Sequence, residues 1–407
     1  MTADVRIWPP TELRGVEFHP MMAELLGEEQ AARVVLSPGS VPAWVFTRYD
    51  EVKAVTADPR FSREAAWEAG DGRAGGFTRE RALLEGDLTF QDGEAHARMR
   101  RQLARALSPA RTAALGRTAA RVCDALMDAV VAKGPPADLV EDLASPFALE
   151  MAYEIVGVPG KDRDRRLCAH YETVFSVAAG PDEAREARDA LRMFFRRLVS
   201  EARQGPAGHG SPSRSGSLLA VLAQPDSEMT DQQVVATVYH VAQAAWHGIR
   251  NHGGNLLYML LSRNSDADWL RQHPQARPVA VDELLRYLPR LSTLGVERVA
   301  TEDVVVGGAT VRRGEAVYVS YASANRDSRV FPEPDRIELR GRGTPHLAYG
   351  HGPHRCPAAS LVNVELLSLM GALLDRLPTA RLAVPQDQLL WRTKDILRGP
   401  QQLPVIW

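Results

Sequence analysis

The segment LAYGHGPHRCPAA at 347–359 places one cysteine, Cys356, between a glycine-dependent turn and a helix. Gly350 and Gly352 supply the backbone freedom of a sharp turn. The apolar spacing of Leu361, Val364, Leu367, Leu369 and Met370 predicts a helix directly after it. A thiolate at a helix N-terminus is stabilised by the helix dipole and by backbone N–H groups that lack an intrahelical partner, so the sulfur stays deprotonated and able to bind a metal. A single protein ligand of this kind suits haem. The alternative is a buried, inert cysteine, the ordinary fate of a lone thiol.

Tyr349-x-x-Gly352-x-His354-x-Cys356 resembles the haem-binding loop of the cytochrome P450 family, with Tyr349 in the usual Phe position. Ala358 stands where the family usually has Gly, and Pro357 beside it is uncommon there. Further matches in the family's order extend the resemblance from about residue 40 to the C-terminus. The resemblance implies a mainly α fold with a minor β component, formed as a single cytochrome P450 domain over 1–407. It also implies haem b, iron protoporphyrin IX, with Cys356 as the metal ligand and Tyr349 and Gly350 against the cofactor.

At 407 residues and 45% hydrophobic composition the chain can bury a large core. Its net charge of −2 gives no reason to expect nucleic acid or a membrane surface as a partner. The start, MTADVRIWPP, lacks the basic and apolar regions of a signal peptide, and no apolar run approaches the ~20 residues of a membrane span. Cys123, Cys168 and Cys356 form no disulfide pattern. A soluble, cytoplasmic protein is the expectation, similar to bacterial members of the family.

Between residues 34 and 60 the pattern predicts two short strands around a Pro-Gly turn, then a helix from Tyr49. Residues 63–90, which include Gly70, Gly72, Gly75 and Gly76, read as one long mobile loop. The resemblance makes this region a wall of the substrate pocket. In DGEAHARMRRQLARALSP, His96 and Arg100 stand four apart on one helical face. Alone they read as a solvated basic face. By resemblance they join Arg298 and His354 as donors to the two haem propionates, because buried carboxylates need cationic partners. Helical patterns follow, broken by a Gly/Ser/Pro-rich connector at 204–217 that reads as flexible. His170, Tyr171, Phe175 and Val177 lie where the family's lid helices would be.

Glu283 and Arg286 in VDELLRYLP share a helix face. With Ala324 to Asp327 and Phe331 to Arg336 they resemble the family's structural network under the haem, whose role is folding and haem retention. The strands VVVGG, AVYVS and LPVIW complete the β component.

The helix VYHVAQAAWHGIRNHGGNLLYMLL matches the family's helix over the distal haem face. Members usually carry Ala/Gly-Gly-x-acid-Thr, whereas this chain has Ala244, Ala245, Trp246, His247 and Gly248, so the acid–alcohol pair is missing. Splitting O–O heterolytically needs two protons, which that pair normally organises. His247 can carry protons, since an imidazole titrates near pH 6.5. It equally fits a structural imidazole satisfied by a neighbouring turn. Gly248 removes bulk and leaves room for water or a polar group of the substrate. Ala244, His247 and Gly248 are therefore the candidate catalytic positions.

The function implied is a haem-thiolate monooxygenase of bacterial specialised metabolism, taking O2 and electrons from a ferredoxin and ferredoxin reductase. Arg98, Arg101, Arg105 and Arg355 would steer the ferredoxin. Candidate pocket residues by position are Trp67, Glu68, Leu88, Thr89, Gln243, Trp246, Leu291, Leu294, Ile396 and Leu397, with His247. They are mostly apolar, which suits an apolar or aromatic substrate. Three alternatives stay open: oxidative radical coupling of aromatic substrates such as indole-containing cyclic dipeptides or phenols, a peroxide-driven oxygenase, and a non-enzymatic haem sensor or carrier.

Overall fold

In the computed structural model the described residues are 6–8, 13–36, 40–70, 85–176, 178–204, 216–289, 294–393, 395 and 397–407, and most of them are helical. The helices are α1 (Pro20–Gly27), α2 (Tyr49–Ala57), α3 (Arg63–Glu68), α4 (Gly93–Ala106), α5 (Pro109–Lys133), α6 (Ser145–Val156), α7 (Leu167–Phe175), α8 (Pro181–Gln204), α9 (Leu218–Leu222), α10 (Asp231–Ser262), α11 (Asn264–Gln272), α12 (Arg277–Tyr287), α13 (Tyr321–Ala324) and α14 (Ala359–Arg376). The strands are β1 (Arg6–Ile7), β2 (Ala32–Val35), β3 (Ala43–Phe46), β4 (Phe61–Ser62), β5 (Ala137–Asp138), β6 (Arg298–Ala300), β7 (Val304–Val306), β8 (Ala309–Val311), β9 (Ala316–Val319), β10 (Arg381–Leu382) and β11 (Pro404–Ile406). They form a mixed sheet in the order β1-β2-β3-β9-β6-β4, a three-stranded sheet β10-β11-β5 and a ribbon β7-β8. The mainly α architecture with a minor β component is the one expected.

Helix α10 is the axis of the fold. Thr230 and Gln233 start it with a reciprocal capping box, each side chain bonded to the other's backbone N–H. Its apolar residues, among them Leu256, Leu257 and Leu260, are buried against α6, α8 and α14. Gly253 permits the contact with α14, since a Cβ there would meet the Leu369 side chain at 2.6 Å. Among the described residues no helix is long and apolar enough to cross a membrane.

The sequence reading placed β2, β3 and the helix from Tyr49 correctly, and β2 and β3 pair antiparallel. The turn at Pro38 and Gly39 lies outside the described residues, as do 205–215 of the connector and Gly72, Gly75 and Gly76. The loop expected over 63–90 needs a correction. It begins with α3 and ends in a 3₁₀ turn at Leu88–Phe90. Ser62 Oγ accepts from Ala65 N, and Asp92, distant in sequence, accepts from Ser62 Oγ, Arg63 N and Glu64 N. The Ser62 cap is local, but the support from Asp92 comes from another segment and is invisible to a local reading.

Glu283 and Arg286 are both buried and bonded at 2.8 and 2.9 Å. Arg286 also donates to the carbonyls of Asn325, Pro334 and Arg336, and Glu283 accepts from Glu338 N and Arg342 Nε. Burial alone would raise the Glu283 pKa, but these donors hold it below the usual value. Because all five Arg286 N–H groups are used and both Glu283 oxygens are bonded, removing one partner strands a buried charge. Glu283→Ala should therefore cost about 3–5 kcal/mol, read as a lower midpoint in chemical denaturation. A midpoint within error of wild type would show that the pair is structurally idle.

Candidate active site

Cys356 sits at the end of a hydrogen-bonded loop. Its N–H donates to Tyr349 O at 2.8 Å, Gly350 N donates to Leu347 O at 2.9 Å, and Arg355 N donates to Gly352 O at 3.0 Å. Leu347 N in turn donates to Asn325 Oδ1 at 2.6 Å, which joins the loop to the Arg286 network. Gly350 and Gly352 have φ of +75° and +71°. Helix α14 starts at Ala359, so Cys356 lies just ahead of its N-terminus. Ala358 has φ of −100°, a conformation open to any residue, which explains why glycine is dispensable there. Tyr349 is accommodated because its hydroxyl bonds Asn363, and burial raises its pKa.

A second cluster collects cations. His96 and His354 rings lie 4.1 Å apart, centroid to centroid, and the His354 Nε2 is 3.2 Å from Asp92 Oδ1. Burial pushes His96 down to about 4, with Arg100 and Arg63 adding to the effect. Burial likewise lowers His354 to about 3, against Asp92 and with help from Arg63, His96 and Arg298. Arg63 falls to about 9 through burial and the nearby Arg298. His96 Nε2, Arg63 Nε and Arg298 Nη2 are buried with no hydrogen-bond acceptor. Such donors need an anion. Two carboxylates fit this donor set, as the haem propionates would. Arg100 is partly buried, its pKa lowered by burial, and it interacts electrostatically with Cys356 and Arg355 as well as with His96.

Helix α10 faces this region with its smallest residues. Ala244 is exposed in mid-helix, and a Cβ on Gly248 would meet nothing within 4 Å. His247 turns off that open face. Its ring is fully buried, 4.1 Å from Phe175 of α7, with Nε2 3.8 Å from Asp395 Oδ2.

The pocket residues expected from sequence are placed unevenly. Gln243 is buried on α10 with Nε2 lacking a partner. Leu88 is buried, and Thr89 N caps onto Asp87 at 2.7 Å. The Trp67 ring lies tilted 5.0 Å from that of Phe90, and with exposed Glu68 it lines an acidic surface depression that also includes Glu64, Glu85 and Asp87. Trp246 packs between Tyr171, at 5.5 Å, and the Arg250 guanidinium, at 4.3 Å. Leu294 joins the sheet cluster of Val34, Ala43 and Tyr318, and Leu397 is half-buried. Leu291, Ile396 and Val177 lie outside the described residues.

Sequence reasoning missed Arg63, Asp92 and the pair His240 and Asp87, whose Nδ1 and Oδ2 are 3.1 Å apart. Asp92 carried a signal, since it directly precedes α4 at a capping position, yet its carboxylate serves α3 and His354 instead.

A model of the family described as cytochrome P450 matches residues 278–401. The chain is similar to biflaviolin synthase of Streptomyces coelicolor, 39% identical over 403 residues that cover 99% of this chain and 96% of the relative. It is also similar to nocardicin C N-oxygenase of Nocardia uniformis subsp. tsuyamanensis, 37% identical over 404 residues that cover 99% of each. Among solved structures it resembles a cytochrome P450 with biaryl coupling reactivity, at 32% identity and a TM-score of 0.91, covering 99% of this chain and 100% of that one.

The loop's backbone makes one sharp expectation. A Cβ on Gly352 would lie 2.2 Å from Thr56 O, at a positive φ. Gly352→Ala should cost about 1–3 kcal/mol, visible as a lower melting temperature. Gly248→Ala, with open space around it, should instead gain up to ~1 kcal/mol of helix propensity. Equal melting temperatures for the two variants would show that the loop is not held against α2.

Proposed function

The chain belongs to the cytochrome P450 family, and we propose that it is a haem-thiolate monooxygenase of bacterial specialised metabolism acting on an apolar or aromatic small molecule. The observation that carries this is the pairing of Cys356 and buried N–H donors of His96, Arg63 and Arg298 that lack acceptors with an open helix face at Ala244 and Gly248. Haem b, bound through Cys356, supplies the oxidising chemistry. The residues of the chain do the rest. His96, Arg63 and Arg298, with His354 held beside Asp92, would hold the two propionates, and Arg100 would offset the negative charge of the Cys356 thiolate. Ala244 and Gly248 keep side chains away from the reacting centre.

Electrons come from a ferredoxin and its reductase, docking on the Cys356 side. Arg98 and exposed Arg355 would meet that partner, while exposed Arg101 and Arg105 are each paired with a carboxylate, Glu94 at 2.8 Å and Asp226 at 3.1 Å. Beside Arg355 an apolar groove of about 600 Å³ runs between α5 and α14, lined by Leu107, Pro109, Gly116, Pro357, Leu361 and Val364. A charged rim around an apolar patch suits a transient acidic partner.

Oxidative coupling of two aromatic molecules is the second reading. Gly248 favours it, because the space around that position admits a bulky pair, and a solved relative is described as having biaryl coupling reactivity.

The wild type should show the red-shifted Soret band of a thiolate-ligated ferrous carbon monoxide complex, and Cys356→Ser should lose it while remaining folded. Retention of the band in Cys356→Ser would assign the ligand elsewhere. Screening aromatic metabolites for a ferric Soret shift, followed by mass spectrometry of turnover products, separates hydroxylation from dimer formation. Gly248→Thr should impair dimer formation more than oxidation of a small substrate. Equal losses for both would remove Gly248 from any role in substrate choice.

A further inference from the structure

The pair His240 and Asp87 stands beside the propionate donors without belonging to them. Asp87 directly precedes the 3₁₀ turn at Leu88–Phe90 and caps it, its Oδ1 accepting from Thr89 N at 2.7 Å. The same segment lies along α10, where a Cβ on Gly86 would stand 3.7 Å from the side chain of Gln233, two turns before His240. With Oδ1 committed to the cap, Oδ2 is left 3.1 Å from His240 Nδ1, the separation of an ion pair. The carboxylate is therefore placed by the backbone on which it sits, and the imidazole by a long helix.

The His240 ring is enclosed yet open along one edge. Its Nδ1 and the Asp87 side chain are buried, and burial is the largest influence on the imidazole, but 29% of its side-chain surface is accessible. A side chain that is both desolvated and accessible faces an internal space rather than bulk water. Because Nδ1 is covered, the accessible surface belongs to the far edge of the ring, which carries Nε2. Ala244, one turn further on and a neighbour of His240 on the helix surface, is exposed although α10 is the core helix, so the two open on one space. His247 lies on the same side of α10 a further turn along, but Phe175 covers it, whereas His240 keeps its open edge. Thr237 and Gln243, three residues before and after His240, are buried with Oγ1 and Nε2 unpaired. Buried polar groups in that state call for a partner.

We propose that His240, with Asp87 as its positioning residue, is the polar anchor of the substrate, its Nε2–H donating to a neutral carbonyl oxygen of an otherwise apolar or aromatic molecule. This rests on the monooxygenase reading and names the polar feature of the molecule that reading calls for. A charged donor makes a hydrogen bond roughly twice as strong as a neutral one. The acceptor is neutral because His240 and Asp87 cancel each other's charge, and an anion on Nε2 would add a second negative charge beside a buried carboxylate. Burial opposes the imidazolium, Asp87 outweighs it and Arg63 of α3 acts against, so the His240 pKa lies above the usual imidazole value. Asp87 and Arg63 are the charged groups that act on the ring. Above that pKa the remaining proton belongs on Nδ1, facing the carboxylate, and a bare Nε2 cannot donate. Carbonyl recognition is therefore present at lower pH and lost as pH rises through the His240 pKa.

Two neutral probes of matched shape isolate the oxygen: 2-acetylnaphthalene, and 2-isopropenylnaphthalene, which carries a methylene group in its place. Their dissociation constants are read from the ferric Soret shift of the holoenzyme. Neither probe titrates, so any pH dependence of their ratio belongs to the protein. In wild type the ketone should bind roughly tenfold more tightly at about pH 6, and the advantage should fall away towards about pH 9. Asp87→Asn keeps the oxygen that caps Thr89 and removes the charge that raises His240, so it should move that fall to lower pH. His240→Phe should abolish the advantage at every pH. A wild-type ratio near one at low pH, or one that stays flat as pH rises, would overturn the proposal without any variant and leave the pair a structural tie between the 86–90 segment and α10. A Soret band unmoved by both probes would overturn it as well, since the open face would then hold no aromatic body of this size. Failure of the monooxygenase reading appears separately, as a wild type without the thiolate-type carbon monoxide band.

Discussion

A buried ion pair sets the geometry on which the cysteine loop depends. Glu283 and Arg286 are nearly inaccessible, and a charge in that position is tolerable only when each of its hydrogen-bonding directions is used. Arg286 meets that demand by gripping the carbonyl of Asn325, whose side chain then accepts from Leu347 N at the start of the loop. The loop's own bonds continue to Cys356. Backbone and side-chain hydrogen bonds thus link a desolvated guanidinium to the loop that ends at the Cys356 backbone. Tyr49 N bonded to Asp327 ties the same region to α2, against which Gly352 lies.

The site is asymmetric in charge for a related reason. Near the loop, cationic groups outnumber anionic ones, and Asp92 is the carboxylate that bonds His354 while capping α3. Mutual repulsion and burial depress the pKa of His96, His354 and Arg63 together, which is the signature of donors arranged for an anion. On the far side of α10 the charges balance instead, with Arg250 and Arg392 against Glu172 and Asp395. The open face at Ala244 and Gly248 lies on the helix between these two environments. A helix with 3.6 residues per turn separates them simply by register, since His247 adjoins Gly248 in sequence but is rotated about 100° from it.

What was readable from local sequence followed physical periodicity. The α14 apolar spacing, the Gly-rich loop before it and the Glu283–Arg286 pair are each short-range patterns, and each is found as expected. The stretch at 63–90 differs from the expected loop because the short helix α3, capped locally by Ser62, is reinforced by Asp92, a tertiary contact that outweighs weak local propensity. His247 could be read only as an imidazole with two possible roles. Its neighbours Asp395 and Arg392 lie far along the chain, and no spacing rule brings them together.

By itself the sequence determined the family, the mainly helical fold and the unusual His247–Gly248 pair, because these depend on residue identity and on periods of a few residues. Only the tertiary structure decided which charges face one another. Arg63 joined His96, His354 and Arg298, Trp246 stacked on Tyr171, and His247 turned toward Asp395. Those outcomes depend on distances across packed segments, where desolvation makes a few ångströms worth far more than sequence separation can convey.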